Sequence, residues 1–241
     1  MGVYYINDDT LGRILIHTRI GMKCVRSRIK DGLIELHVPQ GISPDELRKI
    51  IDANRDKLNQ ILARNEEKRL TYHAGQVINC LGGSTITIGV QDKFPDKAIF
   101  GKDDTGNLYV NVASNMDLSD ENVVSLISRC LKSLAKRLAP QVVIKYAQEV
   151  ATEIGARPSR FVIGSGLRKL GHCTRAREIQ LSYNIVFLPS HLARFIILHE
   201  ITHLTHFNHS PEFHALLNSY CGGNEKALIN ELKHFPWPVK L

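Results

Sequence analysis

Five histidines, His199, His203, His206, His209 and His214, crowd into sixteen residues, and eight of the chain's eleven lie after position 170. The segment that carries them reads FIILHEITHLTHFNHSPEFH. Inside it, His199-Glu200-Ile201-Thr202-His203 is an HExxH. Residues four apart on a helix share one face, so two imidazoles can converge on one cation. Glu200 follows the first histidine and can take a proton from water at the metal, as a zinc hydrolase requires. The two intervening residues are uncharged and the flanks are apolar, so the helix should be buried. Buried imidazoles need partners, and a metal supplies one.

A catalytic zinc needs a third protein ligand and one position left open. The candidates are His206, His209, Glu212 and His214. A helix over 191–207 would put His206 one further turn along the same face, where three successive turns cannot wrap a tetrahedral ion. It then reads as a helix-end histidine, favourable against the C-terminal dipole. His209 follows a break at 208–211, so the chain can turn back and present it from another direction. His209 is therefore the first choice, with Glu212 and His214 as alternatives. For the group that would stabilise an oxyanion, His172, Arg175, Tyr183 and His214 are candidates.

The rest of the chain mixes strand and helix signals. ILIHTRI and LIELHVP read as strands, with Asp31-Gly32 as a hairpin turn before the second. Ser43-Pro44-Asp45-Glu46 opens a helix with a capping box, and apolar spacing carries it to about Arg69. Strands are expected at QVINCLGG, STITIGV, KAIFG and NLYVNV. A helix should begin at Ser119, bend or restart at Pro140 and end near Ile154, before Gly155. Residues 160–163 and 179–187 read as strands around a loop at 168–177. Two short helices follow, over 211–219 and from Asn224 towards Pro236. No internal repeat shows in the sequence. This order predicts an α+β class, with a β-rich part over 1–115 and a helical catalytic part over 116–241 in one integrated domain.

Charge adds a second constraint. The net charge is +7, and two stretches hold no acid at all. Residues 10–30 carry Arg13, Arg19, Lys23, Arg26, Arg28 and Lys30; residues 156–177 carry Arg157, Arg160, Arg168, Lys169, Arg175 and Arg177. Such runs suit an anionic substrate or partner. No Gly-rich phosphate loop, Cys-based finger or aromatic RNA-binding motif accompanies them. Apolar runs are too short to cross a bilayer, and the opening MGVYYINDDT has no signal-peptide pattern. Five cysteines, odd in number and never CxxC, argue against a disulfide framework and for a reducing cytoplasm.

The last eighty residues resemble the YgjP-like metallopeptidase family, relatives of the SprT-like zincins. Leu170-Gly171-His172-Cys173 stands where the family has a WGSC-type loop, and Ile179-Gln180-Leu181-Ser182 where it has I-x-L-N. Pro189, His199–His203 and Asn208-His209-Ser210-Pro211-Glu212-Phe213-His214 complete the order. Leu170, His172, Ser182 and His214 depart from the family residues. The resemblance implies a zincin fold with a C-terminal HExxH helix, one zinc on His199, His203 and His209, and Glu200 as general base. The leading expectation is a zinc-dependent metallopeptidase acting on peptides. A metal-dependent nucleoside triphosphate pyrophosphohydrolase is the second reading, and a nucleic-acid-associated zincin held by its basic patches is the third.

Overall fold

Alternating apolar residues decide the first sheet. In the computed structural model, which describes residues 2–30, 32–67, 69–165 and 169–240, β1 (Val3–Asp8), β2 (Gly12–Arg19), β3 (Arg26–Lys30) and β4 (Leu33–Pro39) pair in the order β1-β2-β4-β3. The central pair β2 and β4 is parallel and both outer pairs are antiparallel. Ile14, Ile16, Ile34, Leu36 and Val38 are buried with Leu47, Ile51 and Leu58 from α1 (Pro44–Ala53) and α2 (Arg55–Glu67). Lys30 pairs with Leu33, so β3 and β4 form the expected hairpin, with Gly32 at φ 75°. Asp31 of that turn lies outside the described residues, as does Arg168.

The capping box forms: Ser43 Oγ accepts from Glu46 N, and Glu46 Oε2 accepts from Ser43 N. The single helix expected as far as Arg69 is instead two. Asn54 interrupts it, its side chain donating to the Ile50 carbonyl at 2.8 Å. A short amide side chain competes for backbone carbonyls in this way and ends helices.

The remainder of the chain builds a second unit. Its first sheet holds β5 (Val77–Asn79), β6 (Thr85–Gln91), β7 (Ile99–Lys102) and β8 (Leu108–Ala113) in the order β5-β6-β8-β7, again with a parallel central pair. QVINCLGG is strand only at its start; a 3-10 turn over Leu81–Gly83 follows. α3 (Glu121–Glu153) is capped by Asp120, not Ser119: Asp120 Oδ1 accepts from the amides of Asn122 and Val123. The helix runs through Pro140 without restarting. Ala135, Ala139, Val143 and Ala147 bury one continuous face across the lost hydrogen bond. Ile86, Ile88, Val110 and Val112 share that core, so the chain divides into Met1–Arg69 and Leu70–Leu241, whereas the sequence suggested 115/116.

Behind α3 lies a third sheet, β10-β11-β9, of β9 (Arg160–Gly164), β10 (Gly171–Cys173) and β11 (Glu178–Ser182). β10 occupies part of the expected loop. The strand expected over 179–187 stops at Ser182, whose hydroxyl accepts from Asn184 N and turns the chain into a 3-10 segment, Tyr183–Phe187. Three helices close the unit: α4 (Ser190–Thr202), α5 (Pro211–Tyr220) and α6 (Glu225–Lys233). Among the described residues no helix is long and apolar enough to cross a membrane.

Candidate metal centre

α4 is buried along Phe195, Ile197, Leu198 and Ile201, and it carries His199 and Glu200 inward. It ends at Thr202, earlier than the apolar pattern suggested. Thr202 Oγ1 donates back to the Leu198 carbonyl at 2.7 Å, and the amides of Leu204 and Thr205 bond three residues back. His203 Nδ1 then lies 2.9 Å from the His206 carbonyl oxygen, closing the turn. His206 is thus not on a helix face. It contributes a backbone acceptor that orients the His203 ring, and its side chain stays out of the cluster. This is the usual way a second group fixes a ligand's tautomer. Beyond it Ser210 caps α5 and Pro211 occupies its first turn, so His209 is turned back towards α4.

The donor atoms of His199, His203 and His209 all lie within 4.8 Å of one another, and the Nε2 atoms of His199 and His209 are 3.1 Å apart. Two nitrogens on one tetrahedral zinc, each about 2.0–2.1 Å from it, would be about 3.3 Å apart. Phe213, fully buried, packs its ring on all three imidazoles at 4.6–5.0 Å between centroids. Burial and the neighbouring histidines push His199 down to about 4, and burial also lowers His203. Neutral rings keep their lone pairs for a cation. The donor set therefore fits zinc.

Glu200 is buried beside this cluster, and burial pushes its carboxyl up to about 7 against the opposing charge of Lys169. Gly171 of β10 makes the room: a Cβ there would overlap the Glu200 carboxyl. Glu212 stays outside the cluster, exposed in the first turn of α5 with its carboxyl held low by Ser210. His214 Nδ1 lies 2.6 Å from Oε1 of Glu225, a buried carboxylate at the start of α6. Glu225 had no sequence signal, because eleven residues and a Gly222-Gly223 turn separate it from His214.

A cleft of about 530 Å³ opens over these groups. Lys169, His172 and His214 give it polar edges, and Phe195, Phe207 and Ile229 are among its apolar walls. Of the four oxyanion candidates, His172 and His214 line it. Tyr183 is buried in the core with Lys136 over its ring, and Arg175 is exposed in the β10–β11 turn. Two members of the basic run are engaged elsewhere. Arg160 pairs with Glu178, and Arg177, at φ 61°, donates to the carbonyls of Arg157 and Leu204.

Residues 23–234 match the family described as YgjP-like, metallopeptidase domain. No curated protein and no solved structure matches the chain.

Proposed function

Since that match spans most of its length, the chain belongs to the YgjP-like metallopeptidase family, and we propose that it is a zinc-dependent peptidase holding one zinc on His199, His203 and His209. The family points to a metal-dependent hydrolase. The observation that carries the finer reading is the convergence of three imidazoles beside a buried Glu200. Zinc held by three neutral imidazoles supplies Lewis acidity towards water and a substrate carbonyl.

The chain's own groups do the proton work. A Glu200 carboxylate oxygen takes the proton as water adds to the carbonyl carbon, and returns it to the leaving amine as the C–N bond breaks. The wall of β10 at Gly171 keeps that carboxyl from swinging away. Glu225 orients the His214 ring through Nδ1, and only with both ring nitrogens protonated could Nε2 then donate to the carbonyl oxygen as charge develops there. The apolar walls suit peptide side chains. For a nucleoside triphosphate the described cleft offers Lys169 as its only lysine or arginine, which supports the peptide reading over the polyphosphate one.

Glu200→Gln tests this. Zinc content should stay near one per chain while peptide hydrolysis falls by about two to four orders of magnitude, the scale of a lost general base. Nucleoside triphosphates assayed in parallel decide the substrate class: phosphate release without peptide cleavage would move the proposal to a phosphoanhydride. An undiminished Glu200→Gln enzyme would remove this site from catalysis.

A further inference from the structure

The N-terminal sheet commits only one face to its core. The other can be read from register, because directly paired residues point to the same side. One row runs Val3, His17, His37, Arg26, and the next runs Tyr5, Leu15, Glu35, Arg28. Arg13 pairs with Asn7, and Arg19 with Pro39, on the same side. Arg13, Arg19, Arg26 and Arg28 are all exposed. Among the described residues of these rows the one acid is Glu35, 5% exposed, and its carboxylate already accepts from Arg28. Three arginines on this face therefore have no acid opposite them in the sheet.

Around Glu35 the structure also gathers His17 and His37, their Nε2 atoms 3.9 and 4.0 Å from Oε2. That trio invites a second cation site, but two observations oppose it. The imidazoles are stacked, 16° from parallel with centroids 4.7 Å apart, so their in-plane lone pairs do not converge. Arg28 already occupies the carboxylate, and burial, joined by Arg19 and Arg28, disfavours positive charge on His37. The exposed arginines without an acid opposite them suit an anionic ligand. Tyr5, 48% exposed with Arg13 lying 3.7 Å from its ring centroid, adds an aromatic surface among the cations.

We propose that this face of the β1–β4 sheet binds single-stranded nucleic acid, with Arg13, Arg19 and Arg26 on backbone phosphates and Tyr5 offering a surface for a base. A broad sheet face presents side chains in rows about 4.7–4.9 Å apart between strands. Cationic rows track a flexible phosphodiester chain, and an exposed ring accepts any base, so the binding is sequence-tolerant and salt-dependent. Nothing in this assignment depends on the metal centre.

The test is fluorescence anisotropy of labelled oligo-dT and oligo-U with the full-length protein across a salt series. Each phosphate contact on a single strand contributes about 0.7 to the slope of log K against log salt. Replacing Arg13, Arg19 and Arg26 together with Gln should weaken binding and lower the slope by about 2. Lysine at the same three positions should restore the slope, and circular dichroism melting confirms that both variants fold. His209→Ala should bind as the parent does, which separates this proposal from the catalytic one. An unaltered slope in the glutamine variant would overturn the assignment. So would failure of the parent to bind either oligonucleotide, or capture of the parent by anionic phospholipid vesicles but not by the oligonucleotides.

Discussion

His206 and His209 are three residues apart and look alike in the sequence, yet they do different things. His209 brings its Nε2 to 3.1 Å from that of His199, whereas His206 offers His203 only its carbonyl oxygen. A backbone acceptor survives substitution of the side chain. His206→Ala should therefore keep nearly all of the bound zinc, and His209→Ala should lose most of it, as read by metal analysis after dialysis. Equal losses would contradict this geometry. The HExxH and the turned-back His209 were legible because i, i+4 spacing and a Pro-containing break are local signals. The partnership of His214 with Glu225 was not, and neither was the ring of Phe213 under three imidazoles, because both depend on how α5 and α6 meet α4.

Several element boundaries moved where a side chain bonded to the backbone. Asn54 divides one expected helix, Thr202 and His203 shorten another, and Ser182 converts a strand end into a 3-10 turn. Within the first unit a comparable bond ties a hairpin to a helix. Asp8, at the end of β1, accepts from the amides of Thr10 and Leu11 and takes a bidentate contact from Arg55 at the start of α2, at 2.6 and 2.9 Å. Arg55 holds the Asp8 carboxyl well below the ordinary carboxylate range. With the folded pKa depressed, the unfolded chain takes up the proton first. The stabilisation is complete above the unfolded pKa of about 3.9 and fades as pH falls towards the folded one. Asp8→Asn should lower the urea midpoint at pH 7 and flatten the loss of stability between neutral and acid pH. An unaltered acid profile would show that this tie contributes nothing.

Over the whole molecule, two four-stranded sheets share one pattern, an antiparallel strand on either side of a parallel central pair, although no sequence repeat announces it. The proposed ligands all lie within Leu70–Leu241. Zinc that binds only the folded site stabilises that unit by about 2.7 kcal/mol when free metal is a hundredfold above the dissociation constant. Chelation should lower the thermal midpoint accordingly. Hydrogen exchange should place the lost protection in α4 and α5, while β1–β4 exchange as before; protection lost mainly from β1–β4 would refute the ligand set.

The sequence by itself determined the α+β class, the capping box at Ser43, the alternation that makes β2 and β4 one-sided, and the histidines available to a metal, all from signals within a few residues. Family membership was also legible there, through ordered motifs from Leu170 to His214. Only the tertiary structure decided that Gly171 must lack a side chain to admit the Glu200 carboxyl, and that Glu225 holds His214. It also decided that Arg160 and Arg177 are engaged away from the cleft while Arg13, Arg19 and Arg26 share one sheet face. The reason is range: periodicity and capping act within a turn or a strand, whereas burial, close approach and shared faces arise between segments distant in the chain.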